Sequence, residues 1–276
     1  DDSNKLNVFG WASTNPCYGG TGSGSLSDAY ETVTLLQGLE NAGFELNTEL
    51  SDFYTDYRAD RPEVGMWQQD WTLPEPTADS YSEDMMNNAK EFSDTAMVVI
   101  TRVGGEGADL PTDVSQVTYT NNSDEYNDFE PGEHYLKLSQ TERNMLDLVC
   151  ENFDNVVVVY NGANAMELGF LNEYEQIKGA LWCPGTGQSG FNALGEILSG
   201  EVNPSGKTSD TFAADLTATP TANNFGSFFY DNTEEFNMEQ VGFTGETEIV
   251  APSFVNYVEG IYVGYRFWET AAAEGL

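Results

Sequence analysis

The chain has 276 residues, 39% hydrophobic and 13% aromatic, enough for one large α/β domain or two small ones and unlike a disordered acidic tail. Ten basic residues face 46 acidic ones, a formal charge of −36. Such a surface repels phosphate backbones and anionic lipid, which excludes nucleic acid and membrane-surface partners and favours a neutral or cationic ligand.

The N-terminus, Asp1-Asp2-Ser3-Asn4, is neither a starting methionine nor a signal peptide, so the chain is expected to begin inside a longer gene product. Asn7-Val8-Phe9 is a first strand. Residues 28–42 read as a helix, with Asp28 and Glu31 as a capping pair, Tyr30, Val33, Leu36 and Leu39 on one face, and Gly43 as the stop. Residues 52–80, with Trp67, Trp71 and prolines, fit no regular pattern. Ala96 to Thr101 is a buried strand by its continuous apolar character. Residues 111–134 are polar, and the part near 111–128 is read as a mobile rim beside the loop that precedes it. Ser139-Gln140-Thr141-Glu142 is a capping box opening a helix that buries Met145, Leu148 and Val149.

Val156 to Tyr160, four valines and a tyrosine, is the strongest strand signal in the chain. Gly179 to Cys183 is a further strand, followed by a helix near 188–198 with Phe191, Leu194, Ile197 and Leu198 inward. Residues 216–257, rich in Thr, Asn and Phe, again break the pattern. Loops this long tend to be functional or to contact another domain. Strand–helix alternation predicts an α/β fold, a mainly parallel sheet flanked by helices. No internal repeat is visible, and no apolar stretch approaches the ~20 residues of a membrane helix.

Ligands of open α/β sheets bind at the carboxyl ends of the strands. There the sequence places four Gly-rich segments: Tyr18-Gly19-Gly20-Thr21-Gly22-Ser23-Gly24, Arg102-Val103-Gly104-Gly105-Glu106-Gly107, Asn161-Gly162-Ala163-Asn164 and Pro184-Gly185-Thr186-Gly187. The first does not fit the dinucleotide spacing G-x-G-x-x-G. Gly206-Lys207-Thr208 lacks the earlier glycine of a phosphate-binding loop, having Glu201 there, and Pro204 interrupts it. Cys17, Cys150 and Cys183 have no CxxC spacing, so neither a disulfide framework nor a zinc site is expected, and no cofactor is implied. His134, the single histidine, sits in Pro-Gly-Glu-His and is expected to be a solvated loop residue. Glu106 stands out, a carboxylate between two glycines after a buried strand, where backbone and ligand can approach closely enough for general acid catalysis.

Taken together, these loops resemble the second domain of family 3 β-glucosidases. The resemblance is carried in order by Asn7-Val8-Phe9-Gly10 with Gly19–Gly24, Leu35 to Phe44, Asp94 to Ile100 with Gly105-Glu106-Gly107, and Leu138-Ser139 through Glu142-Arg143. It continues in Asn203-Pro204-Ser205-Gly206-Lys207 and the tail Tyr257 to Phe267, spanning nearly the whole chain. It implies an (α/β)6 sandwich, flavodoxin-like, over residues 1–276. The family pairs this sandwich with a (β/α)8 barrel that supplies an Asp nucleophile. Glu106 falls on the acid/base position and Ser23 on a sugar-contacting position, with Gly22 and Gly105 beside them. Arg102, Tyr18, Trp67 and Trp71 are further candidate contacts, the three aromatic rings either stacking on sugar or packing against the barrel.

The implied reaction is two-step retaining hydrolysis of a β-glucoside or oligosaccharide. The nucleophile's Asp-Trp motif is not matched, Gln69-Asp70-Trp71 being a coincidental dipeptide in a Pro-rich loop, so the barrel is expected outside this chain, in the same polypeptide or a separate one. The chain also stops at Ala273-Glu274-Gly275-Leu276, before the Phe-Gly-x-Gly-Leu-Ser-Tyr segment that usually closes the domain. Its wording is nearest to bacterial members with the sandwich first. A homodimer is a permitted assembly. The rival readings are a non-catalytic carbohydrate-binding or interaction module on the same fold, and a nucleotide-binding domain built on residues 19–24. The compartment, cytoplasmic or exported, is left open, and Asn121-Asn122-Ser123 is a formal glycosylation site.

Overall fold

The computed structural model describes residues 4–27, 29–59, 73, 75–106, 109–117, 128–226, 228–242 and 244–276. The chain divides into two compact units, the first ending at Thr208 and the second running from Ser209 to Leu276.

The first unit is built on β1 (Lys5–Phe9), α1 (Leu35–Asn41), β2 (Glu45–Leu46), α2 (Thr48–Ala59), α3 (Glu83–Phe92), β3 (Thr95–Arg102), α4 (Gln140–Asn152), β4 (Asn155–Gly162), β5 (Ile177–Cys183) and α5 (Phe191–Leu198). Its five strands are all parallel, in the order β2-β1-β3-β4-β5. This is the α/β sandwich expected, and among the described residues its sheet holds five strands. Successive side chains leave a strand on opposite faces. Leu6 and Val8 of β1 pack with Leu35, Leu39, Phe191 and Leu194 of α1 and α5. Phe9 points the other way, onto Tyr81 and Phe153, with ring centroids 6.4 and 5.7 Å away. α1 and α5 meet through Gly38 and Gly195; a Cβ on Gly38 would strike the Phe191 carbonyl, and one on Gly195 the Gly38 carbonyl.

The predicted helix at 28–42 is shorter, beginning at Leu35. Thr34 and Gln37 form its capping box, with bonds of 3.1 and 3.0 Å, in place of the pair expected at Asp28 and Glu31. Upstream, the Val33 N–H donates to the Gln188 carbonyl at 2.7 Å, and Tyr30 is 70% exposed. Asp28 lies outside the described residues. The stop at Gly43 is present, with φ of +90°. α4 starts at its predicted Ser139–Glu142 box, but buries Leu146 where Leu148 was expected. β2, α2 and α3 were not anticipated. α2 falls partly in the stretch that fitted no pattern, because Leu50, Tyr54 and Arg58 are its buried residues among three acids.

The second unit holds two antiparallel ribbons and a helix. β6 (Phe228–Phe229) pairs with β9 (Ser253–Phe254), β7 (Met238–Val241) pairs with β8 (Thr247–Val250), and α6 spans Tyr265–Glu274. Tyr230 and Phe254 stack at 4.6 Å, and Asn224 donates to Glu259 at 2.7 Å.

Candidate active site

The strand order places a topological switch point between β1 and β3. The chain leaves β1 toward β2 on one side and leaves β3 toward β4 on the other, and ligands of such sheets bind beside the loops that follow these two strands. Those are the loops carrying Ser23 and Glu106.

The loop after β1 is fixed at its base by Asn161, which is wholly buried at the end of β4. Its side-chain oxygen accepts from the Cys17 N–H at 2.5 Å, and its amide donates to the carbonyls of Cys17 and Cys183 at 3.1 and 3.0 Å. Beyond Cys17 the chain turns tightly. Gly24 N–H donates to Thr21 O at 3.2 Å and Gly20 N–H to Gly24 O at 3.1 Å, with Gly22 at a φ of +61°. The other Gly-rich loops close on it: Gly187 N–H donates to Tyr18 O at 2.7 Å, and a Cβ on Gly20 would lie 3.2 Å from Gly104 O.

Glu106 is exposed, four residues past the end of β3. Its carboxylate accepts the Ser23 N–H at 2.8 Å and its carbonyl accepts the Thr21 hydroxyl at 3.0 Å. Two glycines are obligatory beneath it. A Cβ on Gly105 would sit 2.5 Å from Thr21 N, and one on Gly22 would sit 2.7 Å from Glu106 Oε2. Hydrogen bonding from the Ser23 side chain and then its backbone N–H holds the Glu106 carboxyl below its ordinary pKa. That favours a carboxylate, the form that accepts a proton.

The remaining candidates are placed differently. Arg102 is not at the surface. It is fully buried and grips Glu142 bidentately, Nη1 to Oε1 at 2.8 Å and Nη2 to Oε2 at 2.7 Å. Its other donations go to carbonyls, those of Tyr135 and Thr101 at 2.6 and 2.7 Å and that of Lys137. With its donors spent in the interior it anchors the strand end and has none to offer a sugar. Tyr18 is half-buried and packs edge-on against Phe191, centroids 5.5 Å apart. Trp67, Trp71, Asp70, Gly107 and the Asn121–Ser123 site lie outside the described residues. His134 is not solvated; it sits 3.0 Å from Glu167, the two side chains 15% and 11% exposed.

The three cysteines are free, and burial pushes the Cys17 and Cys183 thiols up to about 11, which leaves them protonated and poorly nucleophilic at neutral pH. Among the described residues no group of three His, Cys, Asp or Glu side chains is arranged to hold a metal ion, and no helix is long and apolar enough to cross a membrane. Sequence reasoning placed Thr21 and Asn161 in the loops of this edge but missed what they do there, Thr21 bonding the Glu106 carbonyl and Asn161 the Cys17 backbone. The one available signal was a polar residue closing the Val156–Tyr160 run.

The comparisons agree with this architecture. The model of the glycosyl hydrolase family 3 C-terminal domain matches residues 1–265. Beta-glucosidase A of Butyrivibrio fibrisolvens is 30% identical over 96% of this chain and 29% of its own length, and a beta-glucosidase of Ruminococcus albus is 28% identical over 97% and 24%. The chain thus spans under a third of the curated relatives it matches. A beta-glucosidase structure from Paenibacillus barengoltzii superposes with a TM-score of 0.72 at 28% identity, over 97% of this chain and 25% of that one. Beta-glucosidase 3B of Thermotoga neapolitana, solved with glucose, shares the fold at a TM-score of 0.71 and 23% identity, over 99% and 33%. The chain belongs to glycosyl hydrolase family 3, of which it carries the C-terminal domain.

Proposed function

We propose that this chain is the acid/base-bearing sandwich domain of a retaining β-glucosidase, with Glu106 as the acid/base. The nucleophilic Asp comes from a (β/α)8 barrel outside residues 1–276, and the substrate is a terminal non-reducing β-D-glucosyl residue. The observation that supports this best is the placement of Glu106 at the switch point, exposed on a glycine seat and hydrogen-bonded to Ser23. The beta-glucosidase names of the relatives support the substrate class.

In the first step Glu106 would protonate the glycosidic oxygen while the Asp attacks the anomeric carbon. As a carboxylate it would then take a proton from the water that frees the sugar, the two carboxyl groups lying about 5–5.5 Å apart. The exposed, hydrogen-bonded carboxylate suits the second step as it stands. The first step needs a protonated acid, so substrate and barrel wall must bury Glu106 and raise its pKa. Glu106→Gln in the complete protein should lower kcat/KM on phenyl β-glucoside by roughly 10²–10⁴-fold. Azide should restore turnover on substrates with good leaving groups. Full activity in that variant would overturn the reading.

A further inference from the structure

Resting on that reading, we propose that Thr21 is the positioning residue for the Glu106 carboxylate: its hydroxyl, donating to the Glu106 carbonyl, fixes the backbone from which that side chain reaches substrate. The strand ladder cannot do this, because β3 ends at Arg102. Past that point, among the described residues, Val103 N–H has a 3.3 Å bond to the Tyr135 hydroxyl, Gly105 forms a single bridge, and the Glu106 carbonyl accepts from Thr21. Thr21 is only 6% exposed, so water competes poorly for its hydroxyl, whereas the carboxylate it sets in place is open to solvent.

Two further contacts make the arrangement a seat and not an isolated bond. Thr21 N and Oγ1 lie where a Gly105 Cβ would be, at 2.5 and 2.7 Å, so the backbone of the acid loop rests directly on Thr21. Thr21 also starts the turn whose next two residues touch the Glu106 side chain, Gly22 from below and Ser23 through its N–H. The turn is itself held through Cys17 by Asn161. The Thr21 hydroxyl thus ties the loop after β1 to the backbone of Glu106 itself.

A displaced acid fails where protonation of the leaving group matters. The test measures kcat/KM, which reports steps up to release of the leaving group, in the complete protein with Thr21→Val and Thr21→Ser. On phenyl β-glucoside, Thr21→Val should lose roughly 10- to 100-fold, the scale of about 1 Å of misplacement. On 2,4-dinitrophenyl β-glucoside, whose leaving group departs without a proton, the loss should stay below about threefold. Thr21→Ser, which keeps the hydroxyl, should restore the phenyl substrate. Thr21→Ala against Thr21→Ser gives the same contrast if the valine does not fold.

Equal losses on both substrates would make Thr21 merely structural and overturn the proposal, as would wild-type values on both. Glu106→Gln run in parallel separates the two ideas. If it is crippled on the phenyl substrate while Thr21→Val is normal, the positioning role alone falls. If Glu106→Gln is itself normal there, the acid/base reading falls first.

Discussion

The two units of this chain handle apolar residues in opposite ways. Up to Thr208, Tyr30 and Val202 are the only exposed large hydrophobic residues among those described, and Leu35, Leu39, Met97 and Phe191 are completely enclosed. From Ser209 onward fifteen are exposed, among them Tyr257 at 75%, Val258 at 70% and Ile261 at 67%, and the buried described residues are Ala213 and Ala271. The sheet with helices on its faces excludes water by itself. Two-stranded ribbons do not, and are marginal without something to pack against. The first unit encloses its apolar residues, and the second leaves most of its large ones among those described open to solvent.

The largest effect should come from opening the first unit at its buried charge. Arg102→Ala strands Glu142, 2% exposed, without its counter-ion, at a cost of about 3–5 kcal/mol. Urea denaturation followed by circular dichroism checks this; a loss under 1 kcal/mol would mean the pair is not the interior strut described. The double change Arg102→Met with Glu142→Leu should recover part of the loss, since neither charge is then left alone.

A smaller effect at neutral pH, and one tuned by pH, should come from Glu75. It is 4% exposed, accepts the Trp11 N–H at 2.9 Å and the Tyr81 hydroxyl at 3.1 Å, and burial pushes its carboxyl from 4.5 up to about 8. The folded state keeps a proton that the unfolded chain releases, so stability is greatest below about 4.5 and is lost as pH rises to about 8. Moving the carboxyl from 4.5 to about 8 corresponds to about 5 kcal/mol across the whole window, of which about 1 kcal/mol is left at pH 7. Glu75→Gln should flatten that slope in melting temperature against pH, and an unchanged slope would assign it elsewhere. The smallest effect belongs to the second unit. Tyr257→Ser should change the stability of this chain by less than about 0.5 kcal/mol, as exposed positions do. A larger drop in the same melt would erase the contrast between the units.

Much of the first unit was legible in sequence because its signals are local. β3 and β4 are uninterrupted apolar runs, and α4 announces itself by a capping box within four residues. The position of Ser23 and Glu106 on one sheet edge followed from the rule that parallel strands present their carboxyl ends together. Their contact across 83 positions did not, because a backbone N–H meeting a carboxylate leaves no mark in either segment. The same holds for Arg102, whose partner is 40 residues away, and for Asn161, which is 144 from Cys17. Glu142 was read as a helix cap and is one, accepting the Ser139 N–H at 2.9 Å, yet it also neutralises Arg102. α2 escaped detection because its inward residues include a tyrosine and an arginine, types that pattern reading assigns to the surface.

The bare faces of Gly22 and Gly105 have a consequence for how this edge can be redesigned. Randomising either position would spend a library on variants that push the carboxylate or Thr21 aside, since any side chain begins with the Cβ that the site has no room for. Gly24, with nothing within 4 Å of its own Cβ position, is the place in that loop where a new side chain can be accommodated. Changes in preference that leave the chemistry intact should therefore be sought at 24, since the Ser23 side chain hydrogen-bonds the Glu106 carboxylate.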